Sequence, residues 1–393
     1  MNLHYLLRAE RCPRSAALRY ALYSQLWDKN TYPDKPTVAA LAGIVVHETV
    51  ARIVRRFSEH DCTSIEDPRC SAVLKELGGY SKLFADTIAD LAKALAGNPR
   101  FDIARDWSLS ALEKRIPLLR EYVQLQLGKI SWSIRPDRKN SDAASKHDHS
   151  PVRAQLGEGV HFEVEVRYPK IKWKGIVDFL DVGNQACIIK DFKTGESSND
   201  HILQLKVYAL LWSYDRELNP KGRPASQLAL CYPGAEKYVT VAPKELAELS
   251  DSLVARTIEV RASVNGPASR ANVSSENCPN CDVRHLCSDY WDSSRRRKAA
   301  ATNGTSIYVD DIQLELKERK GETTWSAVCL ISNHFQPKTT ILLRCSSPNF
   351  RCLGSLRPGM IARLAGAVVS KDDDGEYGIV NCVSNTDVII FGA

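Results

Sequence analysis

The sequence lacks an uninterrupted apolar run long enough to cross a bilayer, so it predicts no transmembrane helix. Its opening residues, MNLHYLLRAERCPRS, carry charges where a signal peptide has its apolar centre. We therefore expect no export, a cytoplasmic protein and no membrane partner. The phosphate-binding loop G-x4-G-K-S/T is also missing, which indicates that the chain carries no nucleotide-driven motor of its own.

A strong charge imbalance is also missing, since the formal net charge is only +6 over 393 residues. The placement of charge is more informative than its size. The first 303 residues carry 44 Lys and Arg against 37 Asp and Glu, whereas the last 90 carry nine against ten. Electrostatic attraction to a polyanion is therefore expected in the larger N-terminal part.

Apolar periodicity changes along the chain from helical to strand-like. Helical spacing extends over residues 14–25, 43–57, 72–96, 108–127 and 243–264. Between the last two, HFEVEVRY, WKGIVDFLDV and ACIIKDFKTG have the alternation and turns of three strands. A helix follows them, with Asp200 as its predicted N-cap. This order predicts an α/β fold with a mixed sheet flanked by helices.

The sequence changes character again after SSRRRKAAATNGTS, which resembles a linker. About five short strand-like segments follow, and the OB-fold is a five-stranded barrel of this length. We therefore predict an α/β domain over 1–293, a linker over 294–304 and a small all-β, OB-like domain over 305–393.

The segment GIVDFLDVGNQACIIKDFKTG places two carboxylates and an ammonium at one end of a predicted hairpin. Asp191 and Lys193 are two residues apart on a strand and share a face, and antiparallel pairing can bring Asp178 beside them. Carboxylates bind Mg²⁺ or Mn²⁺, and a lysine can orient a water or neutralise phosphoryl charge. A surface ion pair is the alternative, but the apolar run ACII before Asp191 favours a site.

Three cysteines lie close together in NCPNCDVRHLC: Cys278, Cys281 and Cys287. Zinc and an iron–sulfur cluster both accept four thiolates, so this segment supplies three of four ligands. His285 is a local candidate for the fourth ligand of a zinc site.

The motifs together resemble the PD-(D/E)XK nucleases of the RecB type. GIVDFLD and IIKDFKTG are similar to the family core, which reads G-x-x-D, a turn and D-x-K-T-G. GIVVHETV resembles its upstream G-x3-H motif, at Gly43 and His47, and QLKVYALL resembles its downstream Q-x3-Y motif, at Gln204 and Tyr208. The resemblance implies a restriction-endonuclease-like nuclease domain over 1–293.

The resemblance also implies roles for individual residues. The implied ligands of Mg²⁺ or Mn²⁺ are His47, Asp178, Asp191 and the Phe192 carbonyl. The implied catalytic residues are Asp178, Asp191 and Lys193, with the lysine as base or water-positioning group.

Residues outside this group have less defined roles. By resemblance, Gln204 and Tyr208 position the substrate strand or the catalytic lysine. Glu163 and Glu165 lie on the preceding strand, and alternation alone does not decide which of them faces the site.

The resemblance suggests a fourth partner for the three cysteines. RecB-type nucleases with an iron–sulfur cluster, such as the nuclease of CRISPR adaptation and the AddAB and flap-processing helicase-nucleases, have one cysteine upstream of the core and three downstream. The stretch RCPRSAALRYAL resembles the upstream element. Cys12 is then the fourth ligand of a [4Fe-4S] cluster, with Zn²⁺ as the alternative.

The function implied is metal-dependent hydrolysis of DNA, on single strands or DNA ends, in repair, recombination or CRISPR-type defence. Without a motor motif, a helicase or integrase-type partner is expected. One alternative is a non-catalytic DNA- or helicase-docking subunit, and another is a zinc-stabilised form of the same nuclease. The predicted barrel offers four aromatic candidates for stacking on single strands, which are Tyr308, Trp325, Phe335 and Phe350. A protein-docking module is the equal alternative for this domain.

Overall fold

The computed structural model describes residues 1–24, 31–62, 64–130, 153–195, 197–232, 234–266, 269–292, 300–301, 308–345, 356–371, 378–383 and 385–391. The predicted linker, 294–304, lies outside these residues except for Ala300–Ala301, and the domain boundaries remain a prediction. The chain forms two compact units. The first comprises Met1–Leu6, Thr37–Ala94 and Ser108–Glu259, and the second comprises Leu7–Pro36, Leu95–Trp107 and Val260–Ala393.

The helices of the described residues follow the predicted segments closely. They are α1 (Leu3–Arg11), α2 (Pro13–Tyr20), α3 (Val38–Glu59), α4 (Arg69–Glu76), α5 (Gly79–Ala94), α6 (Pro99–Asp102), α7 (Arg105–Glu113), α8 (Ile116–Leu127), α9 (Asn199–Tyr214), α10 (Pro243–Asn265) and α11 (Ser288–Asp292). Among these described helices, none is both long and apolar enough to cross a membrane.

The strands form two sheets. Those of the first are β1 (Gly159–Tyr168), β2 (Trp173–Val182), β3 (Cys187–Phe192), β4 (Ala225–Cys231) and β5 (Glu236–Val239). Those of the second are β6 (Ala300–Ala301), β7 (Tyr308–Arg319), β8 (Thr324–Ile331), β9 (Thr340–Cys345), β10 (Ile361–Lys371), β11 (Gly378–Cys382) and β12 (Asp387–Phe391).

The first sheet is mixed, as predicted, with the strands in the order β1-β2-β3-β4-β5. Its neighbours pair antiparallel except β3 and β4, which are parallel and are joined through α9. Helix α9 lies close against the sheet because Gly175 has no side chain. A Cβ on Gly175 would come within 2.8 Å of Tyr208 Cε1 and 3.1 Å of Leu211 Cδ1.

Helix α3 begins at Thr37, whose side chain accepts a hydrogen bond from the Ala40 amide. Its apolar stripe is fully buried at Val46, Val50 and Phe57. Each such side chain contributes about 1.5–3 kcal/mol of burial free energy. This face fixes α3, and with it His47, in the first unit.

Local start and stop signals differ from the prediction in three places. The predicted helix over 108–127 is divided into α7 and α8, because Pro117 in the first turn of α8 cannot continue a preceding helix. The N-cap of α9 is Ser198, whose hydroxyl accepts from the Asp200 amide, so the prediction of Asp200 as the cap is wrong. The predicted helix over 72–96 is two helices, because Gly78 and Gly79 both have left-handed backbone, with φ of 80° and 74°.

The second sheet closes into a barrel. Strands β7, β8, β9, β11 and β10 pair in that order, and β10 pairs again with β7 to complete a five-stranded ring. All of these pairs are antiparallel except β9 and β11. A closed five-stranded barrel is compatible with the predicted OB-like domain.

The barrel core contains two of the aromatic residues proposed for stacking. Trp325 and Phe335 are only 3% and 5% exposed and belong to the apolar interior, so their predicted stacking on bases is wrong. Tyr308 is half-buried, and its ring lies 4.5 Å from that of His334. Phe350 lies outside the described residues.

Candidate active site

The register of β1, β2 and β3 brings three acidic residues to one place on the first sheet. Val164 pairs with Val177, and the same register sets Glu163 opposite Asp178. Phe179 pairs with Lys190, so Asp191 lies one step further, beside Asp178. The hairpin pairing predicted from sequence therefore brings Asp178 and Asp191 together.

Helix α3 adds a histidine to this acidic group. His47 Nδ1 lies 3.5 Å from Asp178 Oδ2. One ligand atom each from His47, Glu163 and Asp178 all lie within 4.8 Å of one another. An imidazole nitrogen with two carboxylate oxygens is a donor set that suits Mg²⁺ or Mn²⁺.

Glu163, rather than Glu165, faces this group. Glu163 has a left-handed backbone, with φ of 52°, a conformation that costs a non-glycine residue free energy and occurs most often at functional sites. Glu165 instead pairs with Arg167 at 2.6 Å and with Lys174 at 3.1 Å. Sequence alternation left both open, and a left-handed residue within a strand has no reliable sequence signal.

Burial shifts the pKa values of His47, Asp178 and Glu163 toward their neutral forms, so a bound cation would replace protons on the two carboxylates. Burial lowers the pKa of His47, which keeps a lone pair on the neutral imidazole. Burial raises the pKa of Asp178 to about 6, opposed by a hydrogen bond from the Phe192 amide. Partial withdrawal from water and then repulsion by Asp178 raise the pKa of Glu163 to about 7. A divalent cation would relieve these unfavourable charges.

A second chain of contacts begins at Asp191, which is 1% exposed. Lys193 Nζ lies 2.7 Å from Asp191 Oδ2 and donates to Gln204 Oε1 at 2.9 Å. Gln204 Nε2 donates in turn to the Tyr208 hydroxyl at 2.7 Å. Because an ammonium only donates, the Gln204 oxygen must face the lysine, which fixes the direction of the chain.

This environment raises the pKa of both Asp191 and Tyr208, which favours their protonated forms. Burial, and then the Asp178 charge, raises the pKa of Asp191 to about 7, although Lys193 opposes the rise. Burial raises the pKa of Tyr208, which keeps its hydroxyl neutral. The lysine thus provides the positive charge of the chain.

The Asp191 carboxylate provides a direct test of whether the site fits a cation. Its buried Oδ2 has the Lys193 ammonium as a charge partner at 2.7 Å, and it keeps lone-pair capacity that a bound cation could share. Buried carboxylate oxygens beside an imidazole nitrogen are a donor set that fits a divalent cation. Phe192 lies between the two groups: its amide donates to Asp178 Oδ2 at 2.8 Å, and its backbone also hydrogen-bonds with His47.

The residues therefore fit a divalent cation at His47, Glu163 and Asp178, with Asp191 adjoining. Asp191 is not within the 4.8 Å group, and its carboxylate faces Lys193. The arrangement combines a cation site with a fixed ammonium beside it. Such a pair can stabilise the charge that develops on a phosphoryl group and orient a water.

The four predicted cluster cysteines all belong to the second unit. Cys12 is the N-cap of α2 and accepts from the Asn272 amide at 3.3 Å. Ser15, one turn along α2, lies 3.5 Å from Cys281 Sγ. Cys278 and Cys287 are each 8% exposed. The start of helix α2 therefore lies against the segment that contains Cys278, Cys281 and Cys287.

The electrostatics of these thiols reflect their proximity. Burial raises the pKa of Cys287 to about 11, and Cys12 and Cys281 add to the rise. Burial also raises the pKa of Cys278, with Cys281 and Cys12 again contributing. A metal or cluster must therefore displace protons here.

His285, the local candidate for a zinc ligand, is fully buried and hydrogen-bonded through Nε2 to the Tyr32 hydroxyl. Burial lowers its pKa to about 3, so the ring is neutral. Its Nδ1 has no hydrogen-bond partner in the part of the chain that the structure describes. Nδ1 is therefore the ring nitrogen that would bind zinc if His285 were the fourth ligand.

Fold and site together define a class of protein: a mixed-sheet α/β protein with an acidic cation site and a lysine beside it. The family model described as the PD-(D/E)XK nuclease superfamily matches residues 5–288. The chain belongs to the PD-(D/E)XK nuclease superfamily, whose members are generally phosphodiesterases that use divalent metal ions.

Other comparisons add little. No curated protein matches the chain. Among solved structures, a murine DNA binding protein bound with ds DNA is similar over 60% of this chain and 96% of its own, at 6% identity and a TM-score of 0.17. A similarity at that TM-score has no bearing on the fold or the ligand.

Proposed function

We propose that this chain is a divalent-metal-dependent DNA nuclease of the RecB type, acting on single strands or DNA ends. The observation that supports it most is the meeting of two groups where the end of β3 lies beside the middle of β2. One is the donor set His47, Glu163 and Asp178, and the other is the Asp191–Lys193 pair. Family membership supplies the reaction class.

The proposed chemistry follows from what each residue can do. A bound Mg²⁺ or Mn²⁺ would supply Lewis acidity toward a phosphoryl oxygen and a nucleophilic water. Asp191 would lie next to that cation, and Lys193 would be held nearby by its ion pair with Asp191. The ammonium, held by Asp191 and Gln204, would stabilise negative charge on the phosphodiester and hold the attacking water in line. Tyr208 would fix Gln204, and so acts on the reaction only through the lysine.

The nuclease proposal is tested with labelled single-stranded DNA and Mn²⁺. Lys193→Ala and Asp191→Asn are expected to lower the cleavage rate by at least about 100-fold, since loss of one charge-stabilising group typically costs that much. Lys244→Ala is the matched control because its side chain is 89% exposed on α10. Equal cleavage by wild type and both site variants would overturn the proposal.

The docking-subunit alternative gives a different result in the same assay. A non-catalytic subunit would bind DNA but show no Mn²⁺-dependent cleavage even as wild type. Calorimetry with Mn²⁺ alone separates the two further, because a docking subunit has no need of a cation at His47, Glu163 and Asp178.

We further propose that Cys12, Cys278, Cys281 and Cys287 hold a [4Fe-4S] cluster. The contacts of Asn272 with Cys12 and of Ser15 with Cys281 support the proposed meeting of the upstream and downstream cysteines. Visible absorbance of anaerobically purified protein tests it, since zinc is colourless. A colourless protein with one equivalent of zinc would favour the zinc-stabilised form.

The biological setting proposed is repair, recombination or CRISPR-type processing, with a separate helicase or integrase-type partner. Its support is the missing phosphate-loop motif, which leaves the chain without a motor of its own. Co-purification from the native host, scored for a P-loop ATPase or an integrase, tests this partner. If the chain purifies from the native host without any P-loop ATPase or integrase bound to it, the proposed partner would be wrong.

A further inference from the structure

One face of β1 and β2 continues from the candidate active site into solvent. On β2, Lys174, Ile176 and Asp178 are two residues apart in turn and share this face. On the opposite face of the strand, Trp173 and Val177 are buried. A straight path therefore leads from the carboxylates of the site along an open sheet surface.

This face carries cations at its far end. In the strand register, Arg167 of β1 lies opposite Lys174 of β2. Glu165 lies opposite Ile176, nearer to the active site than the two cations. The side chains of Arg167 and Lys174 are 45% and 62% exposed. Glu165 is the acid of this group, and it contacts both cations.

The turn after β1 adds two more cations. Lys170 and Lys172 are exposed, and among the described residues neither side chain pairs with a carboxylate. Lys172 ends this turn in a left-handed backbone conformation, with φ of 54°. A shallow depression here is lined by Arg167, Pro169, Lys172, Trp173, Lys174 and Glu217.

We propose that this open face, defined by Arg167, Lys172, Lys174 and Ile176, binds the phosphodiester backbone of the substrate strand beside the active site. The proposal rests on the proposed nuclease function, because that function places the scissile phosphate at Asp178. The segment from Glu165 to Lys174 carries four cations and one acid, and counting Glu217 of the depression as well still leaves a net charge of +2 for a polyanion to contact.

The spacing of the face fits a short length of nucleic acid. Four residues of antiparallel strand separate Lys174 from Asp178, a distance of about 14 Å at about 3.4 Å per residue. Each strand of duplex DNA advances about 3.4 Å per nucleotide, so the cations would contact a phosphate at most about four nucleotides from the scissile bond. Ile176, which is 49% exposed, lies midway and offers an apolar surface to a sugar or base.

A solvated charged face is the ordinary interpretation of exposed lysines on a strand, and a single exposed isoleucine needs no explanation. Two features together favour a strand path instead. Arg167 and Lys174 lie on the same face as the site carboxylates, and together with Lys172 they line the depression.

The test measures the salt dependence of DNA binding, with fluorescein-labelled oligothymidylate in EDTA so that no cleavage occurs. The double variant Arg167→Gln, Lys174→Gln is expected to bind more weakly. The slope of log K against log salt should fall by about 1.4, since each phosphate contact to a single strand contributes about 0.7. The matched control is Lys221→Gln, Lys244→Gln, which removes two exposed charges elsewhere in the first unit.

A third variant gives the opposite sign. Glu165→Gln removes the acid that neutralises Arg167 and Lys174, so it should tighten binding and steepen the slope. Because it is one substitution on an exposed surface, circular dichroism should show an unchanged fold. Tighter binding by Glu165→Gln and weaker binding by the double variant would establish the path.

Equal slopes for the double variant, its control and the wild type would overturn the inference, whether or not inorganic phosphate binds the depression in calorimetry. Weaker binding by Glu165→Gln would also overturn it. Failure of the nuclease proposal is distinguishable, because it would appear as absent Mn²⁺-dependent cleavage by wild type and leaves binding in EDTA unaffected.

Discussion

Replacing Asp311 with alanine is expected to destabilise the second unit by about 3–5 kcal/mol, the usual cost of removing one partner from a buried ion pair. Asp311 is fully buried at the start of the barrel. Arg284 lies between Cys281 and Cys287 in the sequence. It donates hydrogen bonds to both carboxylate oxygens of Asp311, at 2.7 and 3.1 Å. The Tyr290 hydroxyl and the Gly366 amide donate to it at 2.5 and 2.6 Å.

The magnitude follows from what the substitution leaves behind. The Arg284 guanidinium, itself 10% exposed, would keep its charge without a counterion. The Tyr290 hydroxyl and the Gly366 amide would lose an acceptor, and an unsatisfied buried donor costs about 1–3 kcal/mol. Gly366 lies at an irregularity in β10, with φ of 75°, so its amide has little freedom to turn to another partner.

A local assay is needed, because a chain with two units has no single unfolding free energy. Hydrogen exchange of peptides covering residues 278–292 and 361–371 reports the opening free energy of this network. The control is Asp90→Ala, which removes an ion pair with Arg52 whose aspartate is 64% exposed, and should cost no more than about 1 kcal/mol. A change below about 1 kcal/mol in both peptides of Asp311→Ala would refute the reasoning.

The same carboxylate gives a pH dependence of known sign. Burial alone would raise the pKa of Asp311, but the hydrogen bonds and charge of Arg284 hold it below its usual value. A depressed pKa contributes stability above the unfolded value of about 3.9, and that stability is lost as the pH falls through the folded value. Protection of the two peptides should therefore fall in acid for wild type, and Asp311→Ala should lack this component.

Three further predictions concern other parts of the molecule. Glu163→Gln should weaken Mn²⁺ binding by at least about 10-fold in calorimetry, whereas Glu165→Gln should not, because only Glu163 faces His47 and Asp178. Gly175→Ala should cost about 1–3 kcal/mol in the opening free energy measured by hydrogen exchange of peptides covering residues 173–182 and 199–214, and should slow cleavage, because its methyl group would displace Tyr208; unchanged exchange would contradict the close packing of α9. Cys12→Ala should lose iron and visible absorbance together; full iron content in the purified variant would show that Cys12 is not a ligand.

Much of the candidate site was predictable because its motifs are local. Asp191 and Lys193 are two residues apart, and Gln204 and Tyr208 are four apart, so strand and helix periods alone place each pair on one face. Periodicity did not predict the link between the pairs, which only the family resemblance offered as one alternative, since the Lys193–Gln204 hydrogen bond depends on how closely α9 lies on the sheet. Glu163 needed the structure for a different reason, namely its left-handed backbone.

The parts of the fold that sequence missed depend on fine local choices or on distant pairing. Two adjacent glycines divide α4 from α5, and a serine rather than the nearby Asp200 caps α9. The five-stranded barrel itself agrees with the prediction from strand number and length, but the pairing of β10 with β7 that closes it is not encoded in local alternation. The same closure turns Trp325 inward, although its sequence context is equally compatible with an exposed aromatic.

Long-range ion pairs assemble the second unit from distant segments, and this bears on what a cluster would do there. Arg8 contacts Asp282 at 2.6 Å across 274 positions, and Arg100 contacts Asp387 at 2.9 Å across 287. Closing a loop of that length costs about 5 kcal/mol in chain entropy, more than a partly exposed ion pair such as Arg8–Asp282 returns. A covalent link between Cys12 and Cys278 through the proposed cluster would offset that cost directly. The cluster would then act mainly on the stability of the second unit, since the cation ligands and Lys193 all belong to the first.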